Sequence, residues 1–178
     1  MSASSPFGDF FELFKLPRRF ATDPAALEAA YLDVQARVHP DRFAHLSENE
    51  RRVSMQWASH ANEAYRTLKA PVSRGRYLLE LAGFDAGIET NTSMPADFLA
   101  RQMTLREAEE EAREEGDIAA LDALLTGIRA EAHELEAALA SDLDQTHDLA
   151  AAALHLRQLM FLERLREEIR RALETLDS

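Results

Sequence analysis

The residues with the most specific chemistry are His39, Pro40 and Asp41, inside the run Arg37-Val38-His39-Pro40-Asp41-Arg42-Phe43. They place an imidazole, a rigid ring and a carboxylate in succession, with the guanidiniums of Arg37 and Arg42 on either side. A carboxylate so placed accepts charge-assisted hydrogen bonds from a partner's cation, each contributing about 1.5–3 kcal/mol. No Gly-rich phosphate loop, nucleophile elbow or pair of catalytic carboxylates accompanies it. The chemistry is therefore recognition, and the chain is expected not to be an enzyme. His45, His60, His133, His147 and His155 lack metal-ligand spacing, and cysteine is absent. Neither a metal nor another cofactor is expected.

Two helical runs must position this stretch. Leu27, Tyr31, Val34 and Val38 recur at i, i+4, i+7 and i+11, and Val53, Trp57, Ala61, Ala64 and Leu68 likewise share one helical face downstream. The spacing predicts a helix over 24–38, opened by Asp23-Pro24, and a second over 48–69, ended by Pro71. Pro40 ends the first, because the residue before a proline is pushed out of the α region. Ser47 and Glu50 form an S-x-x-E capping box for the second. The three residues thus stand at the tip of a helical hairpin, in a loop from His39 to Leu46.

A short helix within 7–16 precedes the hairpin, and another, over 73–82, follows it with Gly83 as its stop. Residues 84–94 hold Gly87, two threonines, Asn91 and Ser93 without periodicity, and read as a connector. Helices are then expected over 95–115, 118–140 and 145–176, with breaks at Gly116-Asp117 and 141–144. Three helices with short connections are most economically an antiparallel bundle. The expected fold is all-α, and neither strand signals nor repeats appear in the sequence.

Charge separates the two halves. Residues 1–76 carry eleven Lys/Arg against nine Asp/Glu, net +2, and residues 77–178 carry nine against twenty-three, net −14. Two surfaces with different partners follow, and the acidic half argues against nucleic acid. No apolar run reaches the eighteen or so residues of a membrane span, so no membrane partner is expected. Met1 to Phe14 resembles neither a secretory signal nor a transit peptide. With cysteine absent, a cytoplasmic location is expected.

The His-Pro-Asp tip, together with Asn62-Glu63-Ala64-Tyr65-Arg66-Thr67-Leu68 on the second hairpin helix, resembles a J-domain. J-domains stimulate ATP hydrolysis by DnaK-type chaperones. The resemblance implies that His39, Pro40 and Asp41 form the ATPase-activating tip, with Arg37 and Arg42 adding positive charge. Arg37 is the only basic residue of its helix. The remainder narrows the likeness to the HscB family, J-type co-chaperones of iron–sulfur cluster assembly. Tyr77-Leu78-Leu79-Glu80-Leu81-Ala82-Gly83-Phe84-Asp85, Leu105-Arg106-Glu107 and Arg157-Gln158-Leu159-Met160-Phe161-Leu162 carry it. It implies a J-domain at 1–76, a short helix and connector at 77–94, and a scaffold-binding bundle at 95–178. Its implied partners are an IscU-type cluster scaffold and an HscA-type chaperone ATPase. A J-domain co-chaperone for a different client is the alternative.

The residues themselves also suggest a face on the 95–115 helix. At about 100° per residue, Phe98, Leu105 and Ala112 form one apolar stripe, and Leu99 and Met103 fall clear of it, continued by Glu107 and Glu110. An apolar pair bordered by carboxylates suits a partner with an apolar patch and a basic rim. Glu107 to Glu115 otherwise reads as a solvated face. Phe161 lies near the margin of the stripe Leu162, Leu165, Ile169, Leu173 and Leu176. By the family resemblance, Leu99, Met103, Glu107, Glu111 and Phe161 belong to the scaffold-binding face.

Overall fold

The structure, a computed structural model, describes residues 8–38, 47–85 and 94–176. The chain is all-α, with no strand among the described residues. It divides into two compact units, Met1–Leu78 and Leu79–Ser178.

The first unit opens with α1 (Phe10–Leu13). Asp9 caps it, its carboxylate accepting from the N–H groups of Phe11 and Glu12. The helix is shorter than its apolar content predicts because Lys15 turns to a positive φ of 55°. Helices α2 (Pro24–Val38) and α3 (Glu48–Lys69) span the expected residues. Asp23 accepts from the Ala25 N–H, and the Ser47–Glu50 box closes in both directions. The two helices form the hairpin. Leu27, Ala61, Ala64 and Leu68 are buried at its base, and Tyr31 stacks on Tyr65 with centroids 4.2 Å apart. The Tyr31 hydroxyl donates to Asn62 Oδ1, which also accepts from Gln35.

The apolar stripe of α3 is not buried along its whole length. Val53 is 46% exposed and Trp57 partly so. With Leu13, Val34 and Val38 they line a hollow of about 730 Å³. The last helix of this region, α4 (Pro71–Leu81), begins two residues before its expected start, with Pro71 at the first helical position. Gly83, at φ +69°, ends it.

In the second unit α5 (Ala96–Glu115) ends on Gly116, whose φ of +67° suits a residue without a Cβ. Helix α6 (Ile118–Ser141) begins where the Asp117 carboxylate accepts from the Ala120 N–H. The expected break at 141–144 is absent. The helix instead widens into a π-type turn over Asp142–Thr146, and α7 (Leu149–Leu176) starts four residues later than expected. The cause is local: His147 takes a φ of 55°, and Asp148 accepts from the Ala151 N–H and so caps α7. Asp142 also meets His155 Nδ1 at 2.6 Å, tying the widened turn to α7. Leu121, Ile128 and Leu139 of α6 and Leu156, Leu159, Leu162, Leu165 and Ile169 of α7 are fully buried. Each contributes about 1.5–3 kcal/mol by leaving water.

Two expectations about this core need correction. Leu176, placed on the buried stripe of α7, is 38% exposed, on the last turn of the helix beside Gly116 at the end of α5. Glu109, read as part of a solvated face, is only 8% exposed. Arg113 pairs with it at 3.4 Å, which compensates the burial of its charge.

Candidate functional site

Four of the five expected tip residues, His39, Pro40, Asp41 and Arg42, lie outside the described residues. The fifth, Arg37, stands exposed on the last turn of α2 and pairs with Asp33 at 2.7 Å, four residues earlier. What α3 does for the approach to the tip is visible. The Ser54 hydroxyl, 3% exposed, donates to the Val38 carbonyl at 2.6 Å. Val38 is the last helical residue, so its carbonyl has no partner within α2. Ser54 therefore fixes where the chain leaves the helix toward His39. Ser54→Ala is expected to lower stability by about 1–2 kcal/mol, the cost of leaving a part-buried carbonyl unpaired, read from a denaturant melt. Nothing local marks Ser54 in the sequence, since its partner is sixteen residues away.

On the bundle, α5 separates its two apolar stripes as the spacing predicts. Phe98, Leu105 and Ala112 are buried, whereas Leu99 is 43% and Met103 64% exposed. Glu107 and Glu111 are exposed as well. Phe161 of α7 is only partly covered, its ring edge-on to Phe98 at 5.9 Å and 85°. The Arg106 guanidinium lies over the same ring at 5.6 Å. Arg106 also pairs with Glu168 of α7.

The five expected scaffold-face residues do not all share one flank. Phe161 abuts the Phe98–Arg106 side of α5. Glu111 instead borders a hollow of about 540 Å³ between α5 and α6, with Thr104, Glu115 and Gly127. Leu99, Met103 and Glu107 lie between these flanks at about 100° per residue. The roles of Arg106 and Glu168 were not legible, because their pairing spans 62 residues.

Chains of known name resemble this one along nearly its whole length. Residues 94–170 match the family model described as the HSCB C-terminal oligomerisation domain. A co-chaperone protein HscB homolog of Aromatoleum aromaticum is 54% identical over 170 residues, covering 96% of each chain. The homolog of Cupriavidus taiwanensis is 51% identical, covering 95% of this chain and 96% of its own. Among solved structures, chaperone HscB from Vibrio cholerae superposes with a TM-score of 0.82 at 37% identity, covering 94% of this chain and 99% of that one. Human co-chaperone protein HscB gives 0.86 at 32% identity, covering 94% and 83%. A helical hairpin followed by a three-helix bundle, at this identity and coverage, means that the chain belongs to the HscB family of J-type co-chaperones.

Proposed function

We propose that this chain binds an IscU-type iron–sulfur scaffold through its C-terminal bundle and delivers it to an HscA-type chaperone ATPase, whose ATP hydrolysis it stimulates. The observation that carries the reading is the exposed pair Leu99 and Met103 on α5, bordered by Glu107 and set apart from the buried Phe98 stripe. A partner that covers this pair removes apolar surface from water, and the carboxylates favour a partner with a basic rim. The J-domain, residues 1–76, acts through His39, Pro40 and Asp41 with Arg37 and Arg42 beside them. Residues 77–94 connect it to the scaffold-binding bundle of 95–178. The chain itself catalyses nothing and holds no cofactor; it works in the cytoplasm by raising a partner's turnover. Among the described residues no helix is long and apolar enough to cross a membrane.

Two measurements test this together: steady-state ATP turnover of the chaperone, and calorimetric titration with the scaffold. Stimulation without scaffold binding favours a J-domain co-chaperone for a different client. Loss of both defeats the proposal. The name of the matching family model also favours one further use of the bundle, self-association. Sedimentation of the chain alone against chain plus scaffold separates the two: a dimer that scaffold leaves intact places self-association elsewhere on the bundle.

A truncation after Leu78 is expected to stimulate the ATPase weakly and to lose any enhancement that depends on scaffold. The cut falls there because Tyr77 belongs to the first unit. Its hydroxyl accepts from the Phe10 N–H at 3.0 Å, and its ring stacks on Phe10 at 4.5 Å. Full scaffold enhancement by the fragment would remove the client-binding role from the bundle.

A further inference from the structure

Arg106 touches three features at once. It lies seven residues after Leu99 and three after Met103, on the same side of α5. Its guanidinium covers the Phe161 ring at 5.6 Å, and it forks onto Glu168, with Nη2 to Oε1 at 3.5 Å and Nη1 on Oε2. Phe161 and Glu168 are seven residues apart on α7, two turns along one face. A single α5 side chain therefore spans two turns of α7 and ties both to the side of α5 that carries the exposed apolar pair.

We propose that Arg106 and Glu168 are positioning residues for scaffold recognition, holding the Phe161 ring against α5 so that it is presented with Leu99 and Met103. The inference rests on the scaffold-binding reading above. A partly covered phenylalanine is held more firmly when an edge and a face are both engaged. Phe98 meets the ring edge-on, and Arg106 covers a face. Glu168 holds the guanidinium in place by a forked pair that a lysine ammonium does not reproduce. The pair has a second effect. An unpaired arginine beside Leu99 and Met103 would oppose a basic rim on the partner. With Glu168 neutralising it, the charge on this side of α5 is left to Glu107 and Glu110.

The test is a double-mutant cycle on the full chain, read by calorimetric titration with an IscU-type scaffold. Arg106→Met keeps the apolar stem and removes the fork. It is expected to weaken binding by roughly tenfold, within the usual coupling of residues in contact. In a Phe161→Ala background the same change should shift affinity by less than about twofold, because the ring it positions is gone. Glu168→Gln should lie between wild type and Arg106→Met, and Arg106→Lys should recover only part of the loss. Equal losses with and without Phe161 would overturn the proposal, as would wild-type binding by Arg106→Met. The aromatic carbon resonances of Phe161 in the free protein give an independent readout. They should move in Arg106→Met and Glu168→Gln, and unmoved resonances also overturn it. If the wild-type chain binds no scaffold, the proposed function fails, and these resonances still decide whether the ring is positioned by Arg106.

Discussion

Asp41→Asn is expected to return the chaperone ATPase to its unstimulated rate while leaving the fold of this chain intact. The substitution keeps the shape of the side chain and removes its charge. A charge-assisted bond to a partner cation contributes about 1.5–3 kcal/mol, so its loss alone weakens docking roughly ten- to a hundredfold. Activation falls further if the same bond orients the partner for hydrolysis, since misplacement acts on the chemical step as well as on affinity. Stability should change by about 0.5 kcal/mol or less. The residues that hold the hairpin are elsewhere: Leu27, Ala61, Ala64 and Leu68 are buried at its base, and Ser54 secures the end of α2. Steady-state ATP turnover with saturating mutant, beside its thermal melt, decides the matter. A folded Asp41→Asn chain that stimulates as well as wild type would remove the tip from the mechanism.

How far the sequence foretold the molecule depended on whether each feature was local. The bounds of α2, α3 and α5 follow from caps and stops within a few residues: Asp23-Pro24, the Ser47–Glu50 box, Pro71 and Gly116. The separation of Leu99 and Met103 from the Phe98 stripe follows from helical geometry alone. The turn between α6 and α7 was not legible. Ser141 to Asp144 holds residues that favour ending a helix, but the widened turn is held by Asp142 against His155, thirteen residues on, and by a cap at Asp148. Glu109 lies four residues after Leu105 and three before Ala112, on the Phe98 stripe by the same spacing, so its burial was legible in helical geometry and was obscured only by the surrounding run of glutamates. Phe161 lay between core and face by its position, and the structure explains why: it is engaged by Phe98 and Arg106 yet remains partly exposed.

That intermediate burial determines how the recognition face has to be tested. A fully buried phenylalanine costs about 3–5 kcal/mol on truncation to alanine, and a surface residue about 0.5 kcal/mol or less. Phe161→Ala should fall between them, near 2 kcal/mol, because the edge contact with Phe98 and the cover of Arg106 are lost together. A triple alanine variant that includes it mixes lost stability with lost binding. Leu99→Ala with Met103→Ala is the cleaner probe, since these side chains are 43% and 64% exposed. The double variant should melt within about 1 kcal/mol of wild type, as two surface changes do. If the pair anchors the scaffold, binding should weaken by about 2 kcal/mol or more, some thirtyfold in Kd, mainly through faster dissociation. Replacing Glu107 and Glu111 by glutamine should act differently. Long-range charge chiefly sets the association rate, so the loss should be clear at low salt and fade as ionic strength rises. Glu111 lies on the α6 flank and Phe161 on the α7 flank, so the two single glutamine variants need not contribute equally. A double alanine variant that melts as wild type and binds scaffold with unchanged Kd would move the client site off α5. One that melts far lower, with binding reduced only in proportion to the unfolded fraction, would make the pair part of the core.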